Sequence, residues 1–185
     1  MNLNGKQIVE HGIITKVDNP ECIQQVGVDL ELIAVHQIVG SGIIPKEGKT
    51  RLPNYSTVPM VNCPNLNDSG VTRGWFLQPG AYDITLKQGC KIPATQRLQI
   101  VQRSSLLRNG GILASSMFDP GFETENIGTV MIINVPVYIH YEARVAQAYV
   151  TRVNEVLPEN MYNGQWQKDQ QRQQTSSETP PGTFL

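Results

Sequence analysis

The sequence predicts an all-β protein, a sandwich or jelly-roll-like barrel built from short strands. Several short segments alternate apolar and polar residues with a period of two, as half-buried strands do. Turn-forming residues lie between these segments, and the 185 residues include 16 glycines and 12 prolines. Only one segment inside the strand-rich region looks helical. Many short strands separated by turns are typical of sandwiches and jelly-rolls.

The first half of the chain holds few strands and a long insert. Residues 5–16 indicate a short helix or an irregular lead-in. The strings VGVDLEL (26–32) and VHQIV (35–39) predict two half-buried strands. From Gly40 to Gly74 the chain is rich in Pro, Gly, Asn and Ser. This composition indicates a variable insert with one short strand, around Ser56–Val61.

The second half carries the denser strand pattern. The strands predicted here lie within residues 75–93, 97–104, 129–140 and 144–153. A turn at Gln78–Ala81 divides the first of these segments, because Pro and Gly occupy its central places. Ser105–Gly110 is the helical segment, and Tyr141–Ala143 is a short connection between the last two strands.

The composition changes near residue 155, which divides the chain into a β domain (1–155) and a C-terminal arm (156–185). The arm is polar, rich in Gln and without an apolar face, so it cannot fold alone. It is either a disordered tail or an arm that docks on a neighbouring subunit. Trp166 and Phe184 favour docking, because large aromatic residues are unusual in a solvated tail.

Charge and cysteine content exclude several classes of protein. The formal net charge of −1 gives no basic excess for binding nucleic acid. The longest apolar run, residues 130–137, is too short to span a bilayer. These features lead us to expect a cytoplasmic protein. Cysteine and histidine are too scattered for a disulfide framework or a zinc deaminase site: Cys22, Cys63, Cys90, His11, His36 and His140.

The string RSSLLRNGG is a candidate anion site. Arg103, Ser104 and Ser105 follow a strand and open the predicted helix. Free backbone N–H groups at a helix start favour anions, and guanidinium groups match phosphate oxygens. Arg108, one turn further, would reach the same anion or a neighbouring subunit. The alternative is a serine that caps the helix beside a surface arginine.

Four further positions are candidates. In the string FDPGF, Asp119 would orient a water or accept a sugar hydroxyl, and Phe122 would offer its ring face to a base or sugar. The alternative is a plain hairpin turn that the aspartate caps. Asp29 would ordinarily face solvent on its strand. Gln147 lies in an apolar strand three residues after Arg144, so it either bridges protein groups or contacts a ligand.

The order of these strings resembles the dCTP deaminase and trimeric dUTPase superfamily. VGVDLEL, RSSLLRNGG, FDPGFE and ARVAQAYV occur in the family's order over about residues 20–155, and RSSLxRxG followed by DPGF is the most specific part. The resemblance implies a distorted jelly-roll, the dUTPase-like β-clip. It also implies a homotrimer with sites at subunit boundaries and a deoxynucleoside triphosphate bound with Mg²⁺ on its phosphates.

The resemblance also implies roles for single residues. By position, Arg103, Ser104 and Ser105 match the family's phosphate-binding motif, and Gln147 matches its later phosphate-contacting residue. Asp119 matches the residue near the sugar 3′-hydroxyl that activates water in dUTPases, and Phe122 matches the aromatic residue that packs on the sugar. Asp29 matches a structural or indirectly metal-linked residue of the first motif. The polar arm would close over a site, and a β-hairpin spacing would put both ends of one triphosphate within reach.

One position departs from the deaminase pattern. Deaminases of this family use a Glu three residues before an Asn, and Met131 stands there before Asn134. A thioether cannot transfer a proton. The hairpin is also about two residues longer than the pattern of the family it resembles, so Glu123 or Glu125 is either a displaced substitute or part of a solvated turn.

These observations predict a dUTP diphosphatase that releases dUMP and pyrophosphate. Two alternatives stay open: a dCTP deaminase or bifunctional enzyme, and a non-catalytic structural or regulatory trimer. Small enzymes of nucleotide pools are common in phages, so we also expect a virus-encoded origin as one option.

Overall fold

The chain folds into short antiparallel strands, and the all-β prediction is confirmed. The computed structural model describes residues 2–65, 70–164 and 166–167. The helices are α1 (Gly5–Glu10) and α2 (Ser104–Arg108). The strands are β1 (Ile14–Thr15), β2 (Val28–Val39), β3 (Asn54–Thr57), β4 (Val61–Pro64), β5 (Val71–Leu77), β6 (Gly80–Leu86), β7 (Gly89–Lys91), β8 (Gln96–Gln102), β9 (Gly111–Leu113), β10 (Ser116–Phe118), β11 (Glu123–Thr124), β12 (Gly128–Ile133), β13 (Val137–His140) and β14 (Arg144–Arg152).

The described strands form one large sheet and two small ones. The large sheet has the order β10-β8-β14-β2-β6-β12-β9, and β3 pairs with the far end of β2. The small sheets have the orders β1-β7-β11 and β13-β5-β4. Alternate residues of the large sheet, such as Leu30, Ile84, Leu98 and Ile100, are fully buried in one core. The alternation that predicted the strands therefore also identifies the face that packs inward.

The first two predicted strands are a single strand. β2 runs without a break for 12 residues, whereas the sequence predicted strands over 26–32 and 35–39. The pairing with β6 shifts register between Leu32 and Ala34, which changes the alternation at that point. A bulge of this kind puts neighbouring residues out of phase without ending the strand.

The insert contains more structure than predicted. Instead of one strand around Ser56–Val61, it holds β3 and β4, and β5 starts before the insert ends. β3 pairs with β2, and β4 pairs with β5. Val58, Pro59 and Met60 lie between the two strands, so the predicted segment covers mainly the connection between two sheets.

The predicted strand over 129–140 is two strands in different sheets. β12 pairs with β6 and β9, while β13 pairs with β5. The chain leaves β12 at Asn134, whose backbone N–H donates to the Gly110 carbonyl at 3.0 Å. Pro136 follows and has no N–H to continue a ladder. The apolar run over residues 130–137 therefore includes the point where the chain passes from the large sheet to a small one.

The helices agree with the sequence pattern. α1 begins with a capping box in which Asn4 and Gln7 bond each other's backbone N–H groups. α2 begins one residue before the predicted helix and ends at Arg108, close to Gly110, whose φ is +78°. No helix among the described residues is long and apolar enough to cross a membrane.

The chain after β14 stays against the β domain. The Val153 and Val156 N–H groups donate to the carbonyls of Thr95 and Ala94, at 2.9 and 3.0 Å. A 3₁₀ turn at Pro158–Asn160 follows. Phe184, one of the two aromatic residues behind the arm prediction, lies outside the described residues. The division of the chain at residue 155 stays a prediction.

Candidate functional site

A charged cluster lies where β2, β14 and the start of α2 meet. Asp29 is fully buried and lies 3.3 Å from Arg103 Nε and 3.7 Å from Arg144 Nη1. Gln147 Nε2 donates to Asp29 Oδ1 at 3.0 Å. Gln147 is the direct cross-strand neighbour of Asp29. We call Asp29, Arg103, Arg144 and Gln147 the charged cluster.

Asp29 is the buried centre of this cluster and not a solvent-facing strand residue. Its Oδ2 atom lies within ion-pair distance of both arginines but has no hydrogen bond of good geometry. Burial raises the pKa of the Asp29 carboxyl above its ordinary 3.8, and Arg103, Arg144 and Gln147 oppose this shift. The carboxylate therefore holds two guanidinium groups at one place but does not saturate their donors.

The predicted phosphate-binding string lies at the start of α2. Arg103 is the N-cap residue, with extended backbone and no side-chain cap bond, so the alternative of a serine cap is wrong. The Arg103 side chain is about one third exposed. Ser104 and Ser105 are exposed in the first turn of α2, and Arg108 is exposed in its last turn. The string thus faces solvent beside the charged cluster.

Two neighbours fix the orientation of the Gln147 amide. Its oxygen accepts from the Tyr149 hydroxyl, and its nitrogen donates to Asp29. An amide nitrogen carries two N–H donors. One of them remains after the Asp29 bond for a further acceptor. Gln147 therefore bridges protein side chains, and it also keeps a donor that suits an anion.

Asp119 lies on a tight turn. The Phe122 N–H donates to the Asp119 carbonyl at 3.1 Å, and Gly121 has a φ of +90°. This left-handed conformation favours glycine. The Asp119 residue is exposed, and its backbone carbonyl closes the turn. The carboxylate is therefore presented on a rigid backbone.

Phe122 is held within its own chain. It is 7% exposed, and its ring lies 5.0 Å from that of Phe118 and 5.3 Å from that of Tyr162. Tyr162 belongs to the segment after β14. The ring face predicted to meet a sugar is thus largely in contact with protein.

Asp119 and Arg103 lie at opposite ends of one antiparallel strand pair. Phe118 of β10 pairs with Leu98 of β8, which places Asp119 level with Arg97. At about 3.3 Å per residue, Arg103 lies roughly 20 Å further along β8. This separation exceeds the span from the sugar to the terminal phosphate of a triphosphate. The prediction that one hairpin brings both motifs to one nucleotide is wrong within a single chain.

The residue at the deaminase position and the two nearby glutamates differ in burial. Met131 is fully buried on β12, where it pairs with Tyr82 and Leu113. The Glu125 side chain is 81% exposed and lies 3.0 Å from Lys16 Nζ. Glu123 directly follows Phe122, and its backbone N–H donates to Gln167 Oε1. No carboxylate occupies position 131, and Glu125 lies at a solvated surface.

Sequence reasoning missed the roles of four residues near these motifs. Tyr149 orients Gln147, and its spacing of two residues on the same strand would have placed it on the same face. Tyr162 and Gln167 contact the Asp119 turn, but nothing in the polar arm distinguishes them from their neighbours. The role of Arg144 depends on Asp29 being buried, which the alternation of β2 did not indicate.

The described residues offer little to a metal ion of their own. They contain no group of three or more His, Cys, Asp or Glu side chains arranged to hold a metal. The buried Asp29 oxygen lies between two guanidinium groups, which disfavours a cation there.

The fold and these motifs define a protein of the dUTPase-like β class. The model of the dCTP deaminase-like family matches residues 5–153. The chain belongs to this family.

Two named relatives are similar to this chain in sequence. The chain is 32% identical over 147 residues to a deoxyuridine 5′-triphosphate nucleotidohydrolase of Methanocaldococcus jannaschii, covering 78% of this chain and 88% of the relative. It is 30% identical over 169 residues to a "probable" enzyme of the same name from Aeropyrum pernix, covering 90% and 98%.

A solved structure is similar in fold. The 2′-deoxycytidine 5′-triphosphate deaminase from Agrobacterium tumefaciens superposes with a TM-score of 0.58 at 14% identity. The match covers 83% of this chain and 48% of the deaminase chain, so the present chain spans about half of that structure.

Proposed function

We propose that this protein is a dUTP diphosphatase that hydrolyses dUTP to dUMP and pyrophosphate. The relatives named as deoxyuridine triphosphate nucleotidohydrolases support this substrate. The observation that carries the choice of hydrolysis over deamination is Met131, which is apolar and fully buried where the deaminase pattern has a Glu. Because no side chain at that position can transfer a proton to the base, we expect the reaction at the phosphates and not at the base.

The charged cluster and the start of α2 are the proposed phosphate site. Arg103 and the free Gln147 N–H would donate to phosphate oxygens, with the exposed Ser104 and Ser105 hydroxyls beside them. Arg108 would contact the terminal phosphate or a neighbouring subunit. Donors held in place before the reaction stabilise the charge that grows on the phosphates.

Asp119 is the proposed general base. Its exposed carboxylate would accept a proton from a water that attacks the α-phosphorus. The new oxygen–phosphorus bond forms as the bond from the α-phosphorus to the bridging oxygen breaks, and pyrophosphate leaves. Phe122 would set the position of the sugar through the turn that it anchors.

One complete site needs two copies of the chain. Arg103 and Asp119 are roughly 20 Å apart along β8 at ~3.3 Å per residue, so one nucleotide would take its phosphate contacts from one copy and its base from another. This supports the homotrimer with sites at subunit boundaries that the family resemblance implies. Mg²⁺ bound by the phosphates would neutralise part of their charge. A role in the cytoplasmic nucleotide pool fits this reaction.

A parallel assay tests the proposal. The protein is incubated with Mg²⁺ and, separately, dUTP, dCTP, dTTP or dATP, and both pyrophosphate and ammonia are measured. We expect pyrophosphate from dUTP alone. Ammonia from dCTP would overturn this assignment and point to Glu123 or Glu125 as the proton carrier. A folded protein that yields neither product would indicate the non-catalytic trimer.

A further inference from the structure

The segment after β14 returns to the turn that carries Asp119. We call residues 158–164 and 166–167 the strap. The Tyr162 N–H donates to the Pro120 carbonyl at 2.8 Å. Gln167 Nε2 donates to the Gly121 carbonyl at 2.8 Å. The strap therefore bonds the turn through main-chain and side-chain groups of the same chain.

Gln167 holds the turn on both sides of Phe122. Its amide nitrogen bonds the carbonyl of Gly121, and its amide oxygen accepts from the Glu123 N–H at 3.2 Å. One planar amide thus spans three consecutive residues of the turn. Because both ends of the amide are used, its orientation is fixed and the backbone geometry of the turn is fixed with it.

Aromatic and close contacts reinforce these bonds. The Tyr162 ring packs edge-on against Phe122, and the backbone N–H of Trp166 donates to the Tyr162 hydroxyl at 3.3 Å. A Cβ placed on Gly121 would lie 2.8 Å from Met161 Cβ, so the strap lies in direct contact with the turn. The contact needs glycine for its space as well as for its φ of +90°.

The turn is held on its other side by the β domain. The Gly121 N–H donates to the Ile92 carbonyl at 2.9 Å, and the Ile92 N–H donates to the Phe122 carbonyl at 3.0 Å. The strap holds the turn from the opposite side, and we call the two sets of bonds together the clamp. The Asp119 residue stays exposed throughout. The arrangement fixes the backbone beneath the carboxylate and leaves the carboxylate accessible.

We propose that the strap positions the proposed base Asp119, with Gln167 as the positioning residue. The inference rests on the proposed function for its effect on catalysis, while the clamp itself is a property of the fold. The sequence led us to expect an arm over a neighbouring subunit's site. The described part of the arm instead supports a motif of its own chain.

Two substitutions at Gln167 test the role. Gln167→Ala removes both bonds, and we expect kcat for dUTP to fall about tenfold, since a misplaced catalytic group can lose up to ~10²-fold. KM should change less than about twofold, because the phosphate contacts lie elsewhere. Gln167→Glu keeps the acceptor for the Glu123 N–H but loses the donor to Gly121, so we expect a smaller loss of kcat. Gln37→Ala, an exposed position at the far end of β2, is the matched control.

Amide hydrogen exchange gives a readout independent of activity. The Glu123 N–H should be protected in the wild type and in Gln167→Glu but exchange faster in Gln167→Ala. An unprotected Glu123 N–H in the wild type would overturn the clamp. Lost protection with unchanged kcat would overturn the positioning role. A wild type without pyrophosphate release would instead refute the proposed function, while the exchange data would still decide whether the clamp exists.

Discussion

The charged cluster and the Asp119 turn are organised in opposite ways. The cluster is made of side chains: a buried carboxylate, two guanidinium groups and an amide, brought together from β2, β14 and the start of α2. The turn is held through its backbone: it has a left-handed glycine, and its main-chain groups bond the main chain of Ile92 and Tyr162 and the side-chain amide of Gln167. Its one proposed catalytic side chain is exposed.

This difference between the two regions predicts whether a substitution changes stability or activity. Removing a side chain from the cluster changes the folded state itself, because the buried Asp29 and the partly buried groups around it lose their partners. Removing the Asp119 carboxylate leaves the backbone bonds of the turn intact. We therefore expect stability and activity to separate between the two regions.

The largest expected effect is on catalysis at the turn. Asp119→Asn removes the proposed base while keeping the shape of the side chain, so kcat for dUTP should fall about a thousandfold, within the range of general base catalysis. The melting temperature should stay unchanged because the residue is exposed. Steady-state kinetics and thermal unfolding on the same preparation measure both. Glu47→Gln, an exposed carboxylate in the insert, is the control, and full activity in Asp119→Asn would remove the assignment.

A smaller effect is expected on stability at the cluster. Asp29→Ala leaves Arg103, Arg144 and Gln147 without their shared acceptor, so the free energy of unfolding should fall by about 3 kcal/mol. Denaturant titration measures this loss. Asp18→Ala is the matched control: its carboxylate also pairs with a cation, Lys87, at 3.0 Å, but it is 68% exposed. Exposed pairs contribute little. Equal losses of unfolding free energy in Asp29→Ala and Asp18→Ala would contradict the expected difference between the buried and the exposed carboxylate.

The smallest expected effect is a difference in pH dependence. The pKa of Asp29 is raised by burial, so its protonated form is favoured in the folded state. The stability gained by protonating Asp29 is full below the ordinary pKa of 3.8 and is lost as pH rises through the raised value; it is separate from the ion pairs that Asp29→Ala removes. The free energy of unfolding of the wild type, compared with Asp29→Asn, should therefore decrease as pH rises through this range.

Asp18 supplies a control of opposite sign for that experiment. A hydrogen bond from Lys87 lowers the pKa of Asp18, so its contribution is present above 3.8 and is lost as pH falls. The wild type compared with Asp18→Asn should lose stability toward acid. Unfolding curves over a pH series test both signs, and the same sign for both residues would refute the assignment at Asp29.

Local patterns in the sequence predicted the fold class and the motifs. Alternation identified most strands, and the order of four strings identified the family. Features that depend on partners distant in the chain were missed. The burial of Asp29 requires Arg103 and Arg144, and the division of 129–140 into two strands depends on β6 and β5 lying in different sheets. The contacts of Gln167 with the turn involve residues more than 40 positions away.

The antiparallel pairing of β8 with β10 has a genetic consequence. It places Arg103 and Asp119 of one chain at opposite ends of this strand pair, so in the proposed assembly each copy would contribute Arg103 to one site and Asp119 to another. In an assembly of that kind, a copy defective at Arg103 still supplies an intact Asp119 to its neighbour. Two alleles, each inactive alone, would then complement one another in mixed assemblies, whereas a copy defective at both residues would disable two sites at once.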